Sequence, residues 1–494
     1  MNVDINKINA ELKRAVALHE SGNLKAALVI YERFNAQFPN QPEILSLLGT
    51  AQYQTGNYQA GIKTLYAALQ INPINPNVYN NLGNALRELN QYPDALQCYD
   101  IAITQKTDYA HAHNNRGLAL KDLGEIDQAI ASYKNALAIK ADYAEPYNNI
   151  GNIYADQKRV KEALDFYNKA IELNPNYATA YWNKSLLKLL NGEYEEGFKL
   201  YEWRWKAQGL KYTRNLPGKL WLGGDDLQGK TIFIHAEQGL GDTIQFVRYI
   251  KLLKNLGASI ILEVQPQLLS LLSEYEGANV ISIGDPIPQY NYYCPLLSLP
   301  LAFRTTLETI PNFTPYLTAE PVKVDQWKHK LGIRNKPRIG LVWSGGFRPD
   351  QPEVWAINKR RNISLNLLEP LKDVDAEFFS LQKGKEAEEE LSNLKKSDWA
   401  GPIIIDHTYD LKDFSDTAAL IENLDLVISV DTSTAHMAAA LGKPVWLLSR
   451  YDNCWRWLID RTDSPWYPSA KIFRQPSPGD WRTMIQNLSE KLRK

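Results

Sequence analysis

Through the first 210 residues, apolar side chains recur at helical spacing in paired segments, and the pairs repeat every 34 residues. One register holds small residues at Ala15, Gly49, Gly83, Gly117, Gly151 and Ser185. A second holds Ala27, Gly61, Ala95, Ala129, Ala163 and Gly197, and a third the bulky Tyr31, Leu65, Tyr99, Tyr133, Tyr167 and Tyr201. Small residues at two fixed points predict paired helices in close approach, and the bulky register is expected to fill the gap between units. Pro39, Pro73 and Pro175 close the second helix of their units, because proline lacks the amide a helix needs. Thr107 and Ala141 stand at the same place in two middle repeats, which predicts softer turns there. One helical hairpin cannot bury its apolar face alone, so the units must stack into a superhelix with a concave surface.

From about residue 215 the pattern changes. Short apolar runs at 231–236, 259–264 and 279–283 read as strands, with helices over 242–256 and 266–274. After a proline-rich stretch (286–321) and a helix near 324–331, the alternation restarts. Strands are expected over 338–343, 377–381, 402–405, 426–430 and 445–448. Buried parallel strands with crossover helices make an open α/β sheet. Two in tandem predict a cleft, with ligands at the carboxyl ends of the strands.

Composition narrows the partners. At 494 residues the chain is too long for one core. Its 55 basic and 56 acidic side chains give a net charge of −1, which supplies no electrostatic case for nucleic acid or an anionic membrane. Cys98, Cys294 and Cys454 lie far apart and match neither a disulfide framework nor a zinc spacing. The polar start MNVDINKINAELK lacks a signal peptide's apolar stretch, and no apolar run is long enough to span a bilayer. A cytoplasmic protein without a membrane span is the expectation.

The 34-residue pattern resembles the tetratricopeptide repeat, in six copies over residues 7 to about 208. Asn81, Asn115, Asn149 and Asn183 share the period, and Asn80, Asn114 and Asn148 precede three of them. Side-chain amides in a row can hold an extended peptide backbone, or simply bond neighbouring turns and water. The row resembles the asparagine ladder of the O-GlcNAc transferases, which implies a protein or peptide partner in the groove. The last repeat helix, YEEGFKLYEWRWK, carries Trp203 and Trp205 on different faces, where core packing is expected.

In LDLVISVDTSTAHMAAALGKPVW an apolar strand ends at Asp431 and a helix begins near Thr432. Thr432, Ser433 and Thr434 leave backbone amides open to an anion at a helix start. His436 follows one turn later. Alternatively, Asp431 only caps the helix and His436 is a core residue. RIGLVWSGG ends in Ser344-Gly345-Gly346, NKRRNISL supplies Lys359, Arg360 and Arg361, and FFSLQKG supplies Gln382 and Lys383. With EQGLGD and CPLLSLP upstream, this order of segments resembles bacterial proteins that join tetratricopeptide repeats to a heptosyltransferase-like glycosyltransferase. The resemblance implies an all-α superhelix over 1–210, followed by a GT-B fold of two Rossmann-like halves. These span 215–325 on the acceptor side and 335–494 on the nucleotide-sugar side. It also implies inverting transfer from a nucleotide-diphosphate sugar. This chain departs from the family in having Arg361-Asn362-Ile363 where Arg-Ser-Ile is usual, and in its loop over 347–358.

Donor contacts are expected from Ser344, Gly345, Lys359, Arg361, Gln382, Lys383, Asp431, Thr432, Ser433, Thr434 and His436. Their cations would serve the leaving diphosphate without a metal or other cofactor. Asp373-Val374-Asp375 precedes a strand rather than ending one, as a metal-binding Asp-x-Asp would. The resemblance assigns Asp242 the role of base, although an Asp after Gly at a helix start is also a natural cap. Gln238, Gly239 and Gly241 would face the acceptor, and the glycines are expected to clear room for it. Glu237 and Gln238 are second choices as base, and His235 is expected in the sheet. A scaffold with a decayed transferase half is the alternative. A dinucleotide oxidoreductase is weaker: Ile244 stands where a third fingerprint glycine belongs, although Glu263 is well spaced for a ribose contact.

Overall fold

The computed structural model describes residues 5–207, 214–346, 355–394, 396 and 398–494. They form two compact units that divide between Ala180 and Tyr181. The first unit is five helix pairs, from Ile5–Glu20 with Leu24–Gln37 to Ala144–Asp156 with Val160–Leu173. The sixth pair, Ala178–Leu190 with Tyr194–Tyr201, falls almost wholly in the second unit.

Local chemistry sets the ends of these helices. Pro42 and Pro76 open two of them, where the missing amide costs nothing. The Asn75 side chain accepts from the Val78 amide (3.3 Å) as an N-cap. Helices stop at Gln37, Ile71 and Leu173, two residues before the three prolines. In the two middle repeats they stop at Gln105 and Ile139, the same place without proline. Extended backbone at Lys106 and Lys140 makes those breaks, so proline is not what ends these helices.

The bulky register packs differently from expectation. A Cβ on Gly83 would stand 2.6 Å from the Tyr99 ring, one on Gly117 2.5 Å from Tyr133, and one on Gly151 2.7 Å from Tyr167. Each ring lies on the glycine of its own repeat, filling the space inside the hairpin rather than between units. The two registers are therefore a lock and its key within one unit.

The second unit holds two all-parallel sheets. The first comprises β1 (Lys219–Leu220), β2 (Thr231–His235), β3 (Ser259–Val264), β4 (Asn279–Ser282) and β5 (Tyr292–Pro295), ordered β1-β5-β2-β3-β4. The second comprises β6 (Arg338–Val342), β7 (Glu377–Ser380), β8 (Ile404–Asp406), β9 (Leu426–Val430), β10 (Val445–Ser449) and β11 (Ala470–Arg474), ordered β11-β10-β9-β6-β7-β8. Periodicity missed β1, β5 and β11. Strand β5 reads YYCP inside the proline-rich stretch, and only its place beside β2 makes it a strand. The expected helix over 242–256 is broken into Leu240–Phe246, a 3₁₀ turn Val247–Tyr249, and Ile250–Asn255.

The two sheets share one continuous apolar core, which runs from Ile232 and Leu262 through Phe246 and Trp466 to Val427 and Val445. The sixth helix pair joins it: Tyr194, Phe198 and Tyr201 lie around the Trp455 ring at 5.8–6.3 Å. The Trp466 indole donates to the Tyr194 hydroxyl (2.9 Å). Trp203 stacks on Tyr181 with centroids 4.0 Å apart. No helix among the described residues is long and apolar enough to cross a membrane.

Candidate active site

The site grows from two strand–turn–helix units. Strand β2 runs into the turn Glu237–Gly239 and the helix Leu240–Phe246, and β9 runs through Asp431 into the helix Ser433–Ala440. These helices pack directly on each other at Gly241. A Cβ there would stand 2.9 Å from the His436 ring and 3.5 Å from the Ser433 Cα. Gly241 thus lies at the helix–helix contact. The closeness brings Asp242 to the Asp431–His436 segment.

Both Asp242 oxygens are engaged. Oδ2 accepts from the Gly239 amide (2.8 Å): Gly239 is the N-cap residue, and the carboxylate reaches back to it from the third helical position. Oδ1 forms an ion pair with Nη2 of Arg456. Arg456 is buried, and its guanidinium lies on the Trp455 ring (4.5 Å). The remaining turn acid, Glu237, is buried in a two-pronged ion pair with Arg204, at 2.8 and 2.9 Å, and accepts from the Leu297 amide. Burial pushes its carboxyl up, against the pull of Arg204. Arg204 also meets Glu202 and Ser298, which ties the last repeat segment to EQGLGD and CPLLSLP. Gln238 is held through its carbonyl by Gln265 (3.0 Å) and through its side chain by Tyr201 (3.3 Å).

Across the helix contact, His436 stacks on Trp457 (5.2 Å, 27°), and its Nδ1 lies 2.9 Å from the Tyr467 hydroxyl. Its Nε2 is 3.6 Å from Asp431. Burial raises the Asp431 carboxyl, but the His436 hydrogen bond and the charges of His436, Arg361 and Arg456 outweigh it and hold the group well below the usual carboxylate range. Thr432 is the N-cap residue, its hydroxyl 3.0 Å from that of Ser429. Ser433 and Thr434 form the first, partly buried positions of the helix.

Arg361 joins the two glycine and acid segments of this half. Its Nη1 donates to the Asp431 carbonyl (2.8 Å), and a Cβ on Gly345 would collide with its Nη2. A side chain at that position would require the guanidinium to move. The Gly345 amide donates to the Asn362 side chain (2.8 Å). Gln382 accepts from the Trp343 and Ser344 amides, which shapes the glycine turn. Lys383 donates to the Thr408 carbonyl (2.8 Å), and Lys359 is exposed. Residues 347–354 of the unusual loop lie outside those described. Among the described residues, no three His, Cys, Asp or Glu side chains gather as a metal site.

Two expected residues stand apart from this group. His235 is packed in β2, stacked on Phe233 (5.9 Å). Burial first, then the Arg214 and Arg204 charges, push it down to about 4. Glu263 pairs with Arg214. The sequence reading passed over Arg204 and Arg456. Their signal was present: the tripeptide Trp-Arg-Trp occurs at 203–205 and again at 455–457, and both arginines reach acids of EQGLGD.

In the first unit, Asn115 donates to Asn80 (3.0 Å) and Asn149 to Asn114 (2.9 Å), each reaching back to the previous repeat. Asn81 donates to Thr50 (3.0 Å). These three ladder asparagines therefore stitch repeats together, with one amide hydrogen spent on each stitch.

Comparison with known families agrees with this arrangement. Residues 12–76, 65–97, 83–124, 117–158 and 144–177 match tetratricopeptide-repeat families. The helical array is made of tetratricopeptide repeats. Residues 411–480, which hold Asp431, His436 and Arg456, match glycosyltransferase family 9 (heptosyltransferase). The chain is 28% identical over 336 residues to protein FlbA of Caulobacter vibrioides, a match covering 63% of this chain. It spans 54% of that protein, so about half the length of the curated relative. Among solved structures, a thermophilic tetratricopeptide protein of Thermus thermophilus is 28% identical, covering 37% of this chain and 98% of its own, with a TM-score of 0.34. MamA is 25% identical, covering 35% and 97%, with a TM-score of 0.29.

Proposed function

We propose that the chain is a glycosyltransferase of the GT-B type. It would move a sugar from a nucleotide-diphosphate sugar to a protein or peptide carried by the tetratricopeptide repeats. The observation that carries this reading is the junction of Gly241 with His436. It sets a carboxylate, Asp242, beside a helix start flanked by Arg361 and Arg456, within the segment that matches family 9.

In the proposed reaction the donor's diphosphate lies at Thr432–Thr434, where helix-start amides and Arg361 face negative charge. Asp242 takes the proton of the acceptor hydroxyl. The hydroxyl oxygen bonds the anomeric carbon as the bond to the diphosphate oxygen breaks, and the nucleoside diphosphate leaves with that electron pair. A single carboxylate on one face implies inversion. The side chains supply the needed charge, so the reaction is proposed as metal-independent, and His436 and Gln382 act by shaping the site.

The test is stabilisation of the full chain by UDP, ADP, GDP, CDP, CMP and their sugars, followed by sugar transfer to peptides with the best donor. Binding of one nucleoside diphosphate, lost in Arg361→Gln, is the expected result. No stabilisation by any of them would favour a scaffold in which the repeats alone are active.

A further inference from the structure

We infer that Arg456 is a shared cation: Asp242 holds it in the resting protein, and the donor's diphosphate takes it over. Donor binding thereby releases the carboxylate that serves as base. The inference rests on the transferase reading and adds an order of events to it.

Three features of Arg456 carry it. The residue is 8% exposed, and a charge so placed must be compensated. Among the described residues its one carboxylate partner is Asp242. Among the described residues its other donors are poorly served: Nη1 meets the weak acceptor Sγ of Cys454 (3.1 Å), and the buried Nε has no partner there. A guanidinium has five N–H donors in a planar fork suited to a phosphate. Here most of that fork is idle, while Trp455 fixes its plane.

The surroundings set the direction of exchange. The Arg456 charge helps hold the Asp431 carboxyl well below the usual carboxylate range, and Asp242 is paired directly with Arg456. A diphosphate entering beside Asp431 adds charge to a site already holding two carboxylates and needs both arginines. A doubly charged phosphate group outcompetes a single carboxylate for one guanidinium. Once Asp242 loses that partner, its Oδ1 is free to accept the acceptor's proton, as a general base requires. With Arg456 still on Oδ1 and the Gly239 amide on Oδ2, the same carboxylate is capped on both oxygens. The acceptor therefore meets an active base only after the donor is bound.

Calorimetric titration of the full chain with UDP, ADP, GDP and CDP, and with inorganic pyrophosphate, tests this. Arg456→Gln is expected to weaken binding at least 10-fold. Asp242→Asn, which removes the competitor, is expected to tighten it about 10-fold. Tightening is the discriminating sign, because a merely structural ion pair would leave affinity unchanged or lower it in both variants. Arg456→Lys, which keeps the charge but not the fork, should bind more weakly than wild type and guards against misfolding of the Gln variant. Wild-type binding that Asp242→Asn leaves unchanged or weakens would overturn the exchange alone. Absence of binding to wild type by every probe would overturn the transferase reading together with it.

Discussion

Asp242 and Arg456 lie 214 residues apart in the chain and meet as an ion pair where the two parallel-sheet halves share their core. The same carboxylate reaches back to the N-cap amide of the helix that presents it. Capping and catalysis appear as competing roles when only the sequence is considered. In the folded chain the helix-start contact uses Oδ2 and the ion pair with Arg456 uses Oδ1.

Asp242→Asn keeps an oxygen that can accept from the Gly239 amide. It removes the proton acceptor. We expect transfer activity to fall at least about 100-fold, in line with loss of a general base. Initial rates with labelled donor, beside a far-ultraviolet melting curve, check this. Near-wild-type rates would exclude Asp242 as the base.

Arg204→Met should destabilise the second unit by about 3–5 kcal/mol, because Glu237 would be left buried without its partner. All 13 tryptophans lie between residues 182 and 481. Tryptophan fluorescence during urea unfolding therefore reports on this unit alone. Adding Glu237→Leu to the variant should recover part of the loss, and a double-mutant cycle measures how much.

Acid should weaken the second unit through His235. Its folded-state value of about 4 lies below the 6.5 of an ordinary histidine. Between these values the unfolded chain binds the extra proton, so stability falls as pH falls. From pH 7 to 5 the share of His235 is about 2 kcal/mol. His235→Gln should flatten the pH dependence by that amount in fluorescence-detected urea titrations. An unchanged slope would remove His235 as the cause.

In the first unit, Gly117→Ala should destabilise by about 1–3 kcal/mol through overpacking against Tyr133. Helix propensity alone would predict a gain of about 1 kcal/mol. The sign of the change in circular-dichroism melting thus separates the two effects. Tyr133→Leu in the same chain should recover much of the loss.

Replacing Asn115 by Ala should uncouple neighbouring repeats as well as remove a groove amide. The Asn80–Asn115 bond predicts a coupling energy of about 0.5–1.5 kcal/mol in a double-mutant cycle. A zero coupling would leave Asn115 as a groove residue only.

Much of this protein could be read from its residues in order. A 34-residue period with small and bulky registers determines helix pairs, because each helix bond is local and each pair must bury the same face. Apolar runs between turns determined most parallel strands, and Asp431, Gly345 and Asp242 follow the carboxyl ends of three of them. The tertiary structure alone decided the rest. Tyr133 lies on its own glycine and β5 is a strand, because packing and pairing partners, not local preference, set both. Gly241 packs on His436, and two Trp-Arg-Trp arginines reach one acidic turn from either end of the unit. Long-range charge pairs leave no period in a sequence, because a buried arginine needs only one carboxylate within reach, wherever in the chain it comes from.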